Sequence, residues 1–158
     1  MPNLFPIDVG MTKLRGVLKL VKEHGGTINV SALAEEARED VDDLLPLIDA
    51  AEMLGLVQVD SGVITLLDKT AQLDNQSFLS MVRPGLAAVE PFKSVISVLK
   101  QKLANTTPEL AAQLNGKGVQ LHEDNATNEE MLRGLLLAWG VGAKLLSYDA
   151  KTDGWKVK

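Results

Sequence analysis

The stretch Leu54-Gly55-Leu56-Val57-Gln58-Val59-Asp60-Ser61-Gly62-Val63-Ile64-Thr65-Leu66 decides the reading of this chain. Two short runs rich in β-branched residues flank the turn Asp60-Ser61-Gly62, which is the signature of a β-hairpin. Gly55 stands where a helix would end, and apolar residues lead back from it at Leu54, Ala51, Ile48, Leu47 and Leu44, so a helix enters the hairpin directly. Asp42 or Asp43 is the expected cap of that helix, which places Pro46 in the first turn, where its missing N–H costs little. Further back, Ser31 is the expected cap of a brief helix with Leu33, Ala34 and Ala37 inward. Thr27 to Val30 is short and β-prone. Before it, Leu14, Val17, Leu18 and Val21 mark a helix that Thr12 would cap and Gly25-Gly26 would end, after a lead punctuated by Pro2 and Pro6.

Helix, short strand, helix, helix, hairpin is the order of a winged-helix module, here over residues 1–70. Residues 71–158 read as a helical module ending in a hairpin, a degenerate second copy of the same plan. A helix near residues 74–83 should stop before Pro84-Gly85. Another should start with Glu90 as cap and Pro91 at its first position, burying Phe92, Val95, Ile96, Leu99 and Leu103. Thr107-Pro108-Glu109 opens a short helix with Leu110 and Leu114 inward. After a polar loop over residues 116–126, Thr127-Asn128-Glu129-Glu130 reads as a capping box. The helix it opens carries Leu132, Leu135, Leu136, Trp139, Ala143 and Leu146 on one face. Strand, turn and strand close the chain from Leu146 to Val157. The fold class is mostly α with short β-hairpins (α+β), and the two cores are expected to pack together.

Composition removes several classes. The 158 residues include no cysteine, which excludes disulfides and thiolate metal sites, and the first residues show neither a basic region nor an apolar core of a secretory signal. The longest strongly apolar stretch, Gly134 to Ala143, is far short of the roughly 20 residues a membrane helix needs, so no direct membrane insertion is expected and the location read is cytoplasmic. The only histidines are His24 and His122. His24 suits the negative end of the first helix, and His122-Glu123-Asp124 are loop neighbours whose side chains have no reason to converge, so no metal is expected. There is no nucleophile elbow and no phosphate-cradling glycine loop; Gly116-Lys117-Gly118 is a turn in a polar loop. No catalytic residue and no cofactor are expected.

Charge is uneven. Residues 1–79 carry 6 basic and 13 acidic side chains, residues 80–158 carry 10 and 8. The acidic run from Glu35 to Asp43 reads as a solvated elbow between helices. A winged helix that reads DNA lays its third helix in the major groove, but here that helix carries Asp42, Asp43, Asp49 and Glu52 with no Lys or Arg. The C-terminal hairpin has Lys144, Lys151, Lys156 and Lys158 around Tyr148 and Trp155, offset by Asp149 and Asp153. Nucleic acid is not the expected partner. Gly134, Gly140 and Gly142 each cost a helix ~1 kcal/mol relative to Ala. Close approach of another backbone would offset that, so Trp139, Gly140, Gly142 and Ala143 form the expected interaction face.

Val9-Gly10-Met11 through Leu18, then Leu33-Ala34, then Val41 to Leu56, resembles the AAA-associated C-terminal domain family, and Ala138-Trp139-Gly140 to Asp149 resembles its ending. The Asp42-Asp43 pair, Pro46 and Ala50-Ala51-Glu52-Met53-Leu54-Gly55 carry most of the likeness. The chain departs from the pattern at Val141-Gly142, where Arg-Tyr is expected, and at Leu67-Asp68, where the wing lacks the usual Thr and Gly. The resemblance implies an accessory or regulatory module without catalysis, found downstream of the ATP-binding cassette in ABC transporter ATPase subunits of the nitrate, sulfonate or bicarbonate type. It implies an ABC-type ATPase subunit or domain as partner, beside which a homodimer is the other expected association. The chain holds no cassette, which makes it an excised domain or a free-standing relative. The alternative from the fold is a DNA-binding transcription regulator.

Overall fold

The computed structural model describes residues 4–158; the start of the lead, with Pro2, lies outside them. The class is α+β, helical with two small antiparallel sheets. The chain divides into two compact units. One is Asp8–Gly85, and the other is Leu86–Lys158 together with the lead up to Ile7.

In the first unit α1 (Met11–Glu23), β1 (Thr27–Asn29), α2 (Val30–Ala37), α3 (Val41–Met53), β2 (Val57–Asp60) and β3 (Val63–Leu66) follow in order. The sheet order is β1-β3-β2, with Ile28 opposite Ile64 and Val59 opposite Ile64 on its other side. Ser61 and Gly62 both have positive φ, +50° and +79°, which gives the hairpin the right-handed twist its strands need. Leu18, Leu33, Leu44, Ile48, Leu54 and Val57 are all buried in this core, as their periodicity requires.

The helix starts differ from expectation. Gly10, not Thr12, precedes α1, and no side chain caps it. Asn29, not Ser31, caps α2, its Oδ1 accepting from the Ala32 N–H at 2.8 Å. Asp40, not Asp42 or Asp43, precedes α3, so Pro46 stands in the helix body beyond the first turn. In a run of acidic residues every carboxylate is a plausible cap; the start is fixed by the end of α2, where Arg38 turns left-handed (φ +55°) and the Glu39 N–H bonds back to the Ala34 carbonyl at 3.0 Å.

Helix α4 (Asn75–Ala88) contains Pro84 and Gly85 instead of stopping before them. Its start is fixed by Asp74, whose carboxylate accepts from the Ser77 N–H at 3.1 Å. Phe78, Val82 and Leu86, spaced i, i+4, i+8, are all buried, and a continuous inward face outweighs one lost main-chain bond. Residues 71–85 belong to the first unit, tied by Arg15 Nε to the Leu73 carbonyl (2.8 Å) and Lys22 Nζ to the Ala71 carbonyl (2.5 Å).

In the second unit α5 (Phe92–Lys100), α6 (Thr107–Gly116) and α7 (Asn125–Leu135) lead into a π-helical turn (Leu136–Val141) and the hairpin β4 (Leu146–Asp149) and β5 (Gly154–Val157). Pro91, not Glu90, precedes α5; the Glu90 carboxylate instead accepts from the Ser94 hydroxyl at 2.9 Å. The inward face of α5 is Phe92, Ser94, Val95 and Val98, while Ile96 and Leu99 are half-buried and Leu103 is 52% exposed. Thr106 and Glu109 form a reciprocal capping box on α6. Asp124, not Thr127, caps α7, accepting from the Thr127 N–H at 3.0 Å. The face Leu132, Leu135, Leu136, Trp139, Ala143 and Leu146 is buried throughout, with Trp139 edge-on to Phe5 at 4.8 Å.

Several local features of the first unit have counterparts in the second. The buried residues Leu14, Val17, Leu18 and Val21 of α1 correspond, at a constant shift, to Pro91, Ser94, Val95 and Val98. Both helices end in the same hydrogen-bonded cap, Gly26 N–H to the Val21 carbonyl and Leu103 N–H to the Val98 carbonyl, with Gly25 and Lys102 left-handed. Asn29, the cap of α2, pairs with Val63, the first residue of β3; Thr106, the cap of α6, pairs with Gly154, the first residue of β5. Leu44, Leu47 and Ile48 of α3 match Leu132, Leu135 and Leu136. From within the π-helical turn onward, Ala50, Ala51 and Leu54 match Trp139, Gly140 and Ala143, one residue further along.

Candidate interaction surface

Trp139, Gly140 and Ala143 are buried inside the second unit, and Gly142 is exposed. A Cβ built on Gly140 would lie 2.7 Å from Leu146 Cδ1, so this glycine admits the first strand of the hairpin against the π-helical turn. Around Gly134, by contrast, there is open space. Close backbone approach occurs at Gly85, where a Cβ would lie 2.8 Å from the Leu54 Cα.

A polar network that the sequence reading did not single out fixes the C-terminal hairpin to α6. Asp153, left-handed at φ +52°, accepts from the Thr107 N–H (2.9 Å), the Thr107 hydroxyl (2.7 Å), the Tyr148 hydroxyl (2.7 Å) and Arg133 Nε (3.3 Å). Trp155 Nε1–H donates in turn to the Thr107 oxygen at 2.9 Å, inside the core. Burial alone would raise the Asp153 carboxyl; the donors of Tyr148, Thr107 and Arg133 outweigh it and hold the pKa at about 2. The same bond to Asp153 raises the Tyr148 phenol and the Arg133 guanidinium. The donors of Thr107, Tyr148 and Arg133 thus converge on Asp153 and hold the turn against α6.

Beside this network a groove of about 900 Å³ opens between the end of α5 and the hairpin, lined by Leu99, Lys100, Lys102 and Leu103 on one side and by Lys156 and Val157 on the other. Its acidic members are engaged locally. Glu109 accepts from the main chain of Asn105 and Thr106, and Asp149 from the Lys151 N–H at 3.0 Å. Among the described residues no carboxylate lies within ion-pair distance of Lys100, Lys102 or Lys156, and these three lysines against Glu109 and Asp149 leave the lining with a net charge of +1.

The first unit presents the opposite charge, with 7 basic and 13 acidic side chains between Asp8 and Gly85. On α3 the outward residues Asp42, Leu45, Asp49 and Glu52 follow one stripe, and Leu45 is 43% exposed at its centre. The residues weighed as ligands serve the fold: His24 Nε2 lies 3.3 Å from Glu36 Oε1, His122 Nδ1 accepts from the Asp124 N–H at 3.0 Å, and Gly118 (φ +79°) ends α6. Among the described residues no group of His, Asp and Glu is placed to hold a metal ion, and no helix is long and apolar enough to cross a membrane.

The family model of the C-terminal AAA-associated domain matches residues 31–149, from the start of α2 to the end of β4. No curated protein and no solved structure matches the chain.

Proposed function

The chain belongs to the C-terminal AAA-associated domain family, and from that premise we propose that it is a non-catalytic accessory module that docks on an ABC-type ATPase subunit in the cytoplasm and modulates it. We read its two units as a winged helix and a second, diverged winged helix. The shared order of helix, strand or bridge, two helices and hairpin, with the cap of the second helix paired to the first residue of the last strand in both, supports that reading.

The observation that carries the functional reading is the outward stripe of α3. In a DNA reader this helix would meet phosphates. Here it offers carboxylates around an exposed Leu45, a surface suited to a basic protein face with an apolar pocket. The same carboxylates disfavour the regulator alternative. The test is co-purification of the chain with an ATP-binding cassette subunit of its source organism, with the ATPase rate measured in both states. The triple variant L45E/D49K/E52K changes only exposed side chains and should lose the complex while melting as the wild type does. Retention of the complex by that variant would place the contact elsewhere, and the absence of any complex with wild type would overturn the reading.

A further inference from the structure

In the first unit β3 is flanked on both sides. β1 pairs with it over Thr27–Asn29, and the ladder is extended by the Leu66 N–H bonding to the Gly26 carbonyl at 2.8 Å. In the second unit the corresponding ladder is cut short. The chain before α6 meets β5 only at Thr106 opposite Gly154, with the Trp155 N–H bonded to the Asn105 carbonyl at 2.8 Å. The next rung, Val157 N–H to the Leu103 carbonyl, is the counterpart of Leu66 to Gly26, and it is absent among the described residues. The direction of the Val157 groups follows from the ladder itself. The Lys158 N–H bonds to the Leu145 carbonyl at 3.0 Å, so in β5 the main chain of Lys156 and Lys158 faces β4 and that of Trp155 and Val157 faces the other way. Val157 therefore turns an unpaired main-chain edge into this groove, opposite Leu103.

We propose that this edge accepts an extended segment of a partner protein by strand addition, and that the segment alternates acidic and aliphatic residues. An unpaired strand edge recognises another backbone in extended form, which fixes the conformation of the occupant. Lys100, Lys102 and Lys156, none of them in an ion pair, outnumber Glu109 and Asp149 in the lining and favour acidic side chains in the occupant. Leu99, half-buried, and Leu103, 52% exposed, receive its aliphatic side chains, and alternation follows because successive residues of a strand point to opposite faces. The inference stands apart from the docking face of α3: it concerns the other unit and an occupant of the other charge.

Random linear peptides displayed against the whole chain at low salt test it without any ATPase, so that failure here leaves the docking reading standing. Enriched sequences should alternate Asp or Glu with Val, Ile or Leu. A synthetic peptide of the leading sequence should slow hydrogen exchange at the Val157 amide at least tenfold, and the Leu66 amide, already paired, should be unaffected. The variant K100E/K102E/K156E, which alters only exposed side chains, should weaken that peptide about tenfold or more. No enriched linear sequence, enriched sequences without acidic residues, or a bound peptide that leaves Val157 exchange unchanged would each overturn the proposal.

Discussion

Asp153 does with a side chain what Gly62 does with its main chain. In the first unit the Val30 N–H, at the start of α2, bonds to the Gly62 carbonyl at 2.9 Å; in the second, the Thr107 N–H bonds to Asp153 Oδ2 at the same distance. Because the folded carboxyl titrates at about 2 and an unperturbed one near ~3.9, its contribution is present in full above ~pH 4 and is lost as pH falls through 2. That contribution is on the order of 2 kcal/mol. Asp153→Asn keeps a residue that tolerates positive φ. Urea unfolding should show it weaker than wild type at pH 7, with the difference shrinking between pH 4 and pH 2. A difference independent of pH would mean that the charge contributes nothing. In the sequence Asp153 only offsets the neighbouring lysines, since nothing local reveals that Thr107, Arg133 and Tyr148 converge on it. Gly85 was hidden for a similar reason: Pro-Gly ordinarily marks a turn, whereas the tight contact is with the Leu54 backbone, distant in sequence. Gly85→Ala should destabilise by about 1–3 kcal/mol, and Gly134→Ala, in open space within α7, should stabilise by about 0.5–1 kcal/mol in the same melting assay.

The elements show where periodicity suffices and where it misleads. The inward faces of α1 and α3 were legible because every inward position is apolar. Around α5 the inward positions include Pro91, just before the helix, and Ser94 within it, so the apolar residues alone point about one residue too far round, onto Ile96 and Leu99. The π-helical turn has no sequence signature of its own; it shows only when the matched residues slip by one between Leu136 and Trp139. A π-helical turn of this kind is one residue accommodated without disturbing the turns on either side. Deleting Leu137, which is 38% exposed, should therefore give a plain α-helix there, as in α3, and keep both flanks in register. Deleting Arg133 instead, before the turn and within the Asp153 network, rotates Leu132 and the residues before it by about 100° relative to the core. Calorimetry should give the Leu137 deletion a cooperative transition close to that of wild type and the Arg133 deletion a broad or missing one. Equal loss from both would show that the extra residue is required where it stands.

Across the whole chain, net charge conceals its distribution. The formal −5 is the sum of an acidic unit and a slightly basic one, and the two surfaces that stand out carry opposite signs. That asymmetry was legible in the sequence, as was the family; the groove was not, because it arises from a ladder that stops short and only the matching ladder of the first unit shows what is missing. The asymmetry also decides the case for DNA. A protein gains affinity for duplex by releasing counterions, roughly 0.9 per phosphate neutralised, and α3 has no Lys or Arg with which to do so. Its Asp42, Asp49 and Glu52 would face phosphates within a Debye length of about 8 Å at ~0.15 M salt, where repulsion is incompletely screened. Of the second unit's lysines, Lys100, Lys102 and Lys156 line a groove whose open edge calls for a polypeptide backbone, and all its basic residues together are too few to outweigh thirteen carboxylates in the first. Fluorescence anisotropy with a labelled 30-base-pair duplex should thus show no binding at ~0.15 M salt and micromolar protein, and D42K/D49K/E52K should raise affinity measurably by removing the repulsion. Salt-dependent binding by the wild type at that concentration would mean that a basic surface other than those described governs the molecule, and the DNA-binding alternative would then stand ahead of the ATPase one.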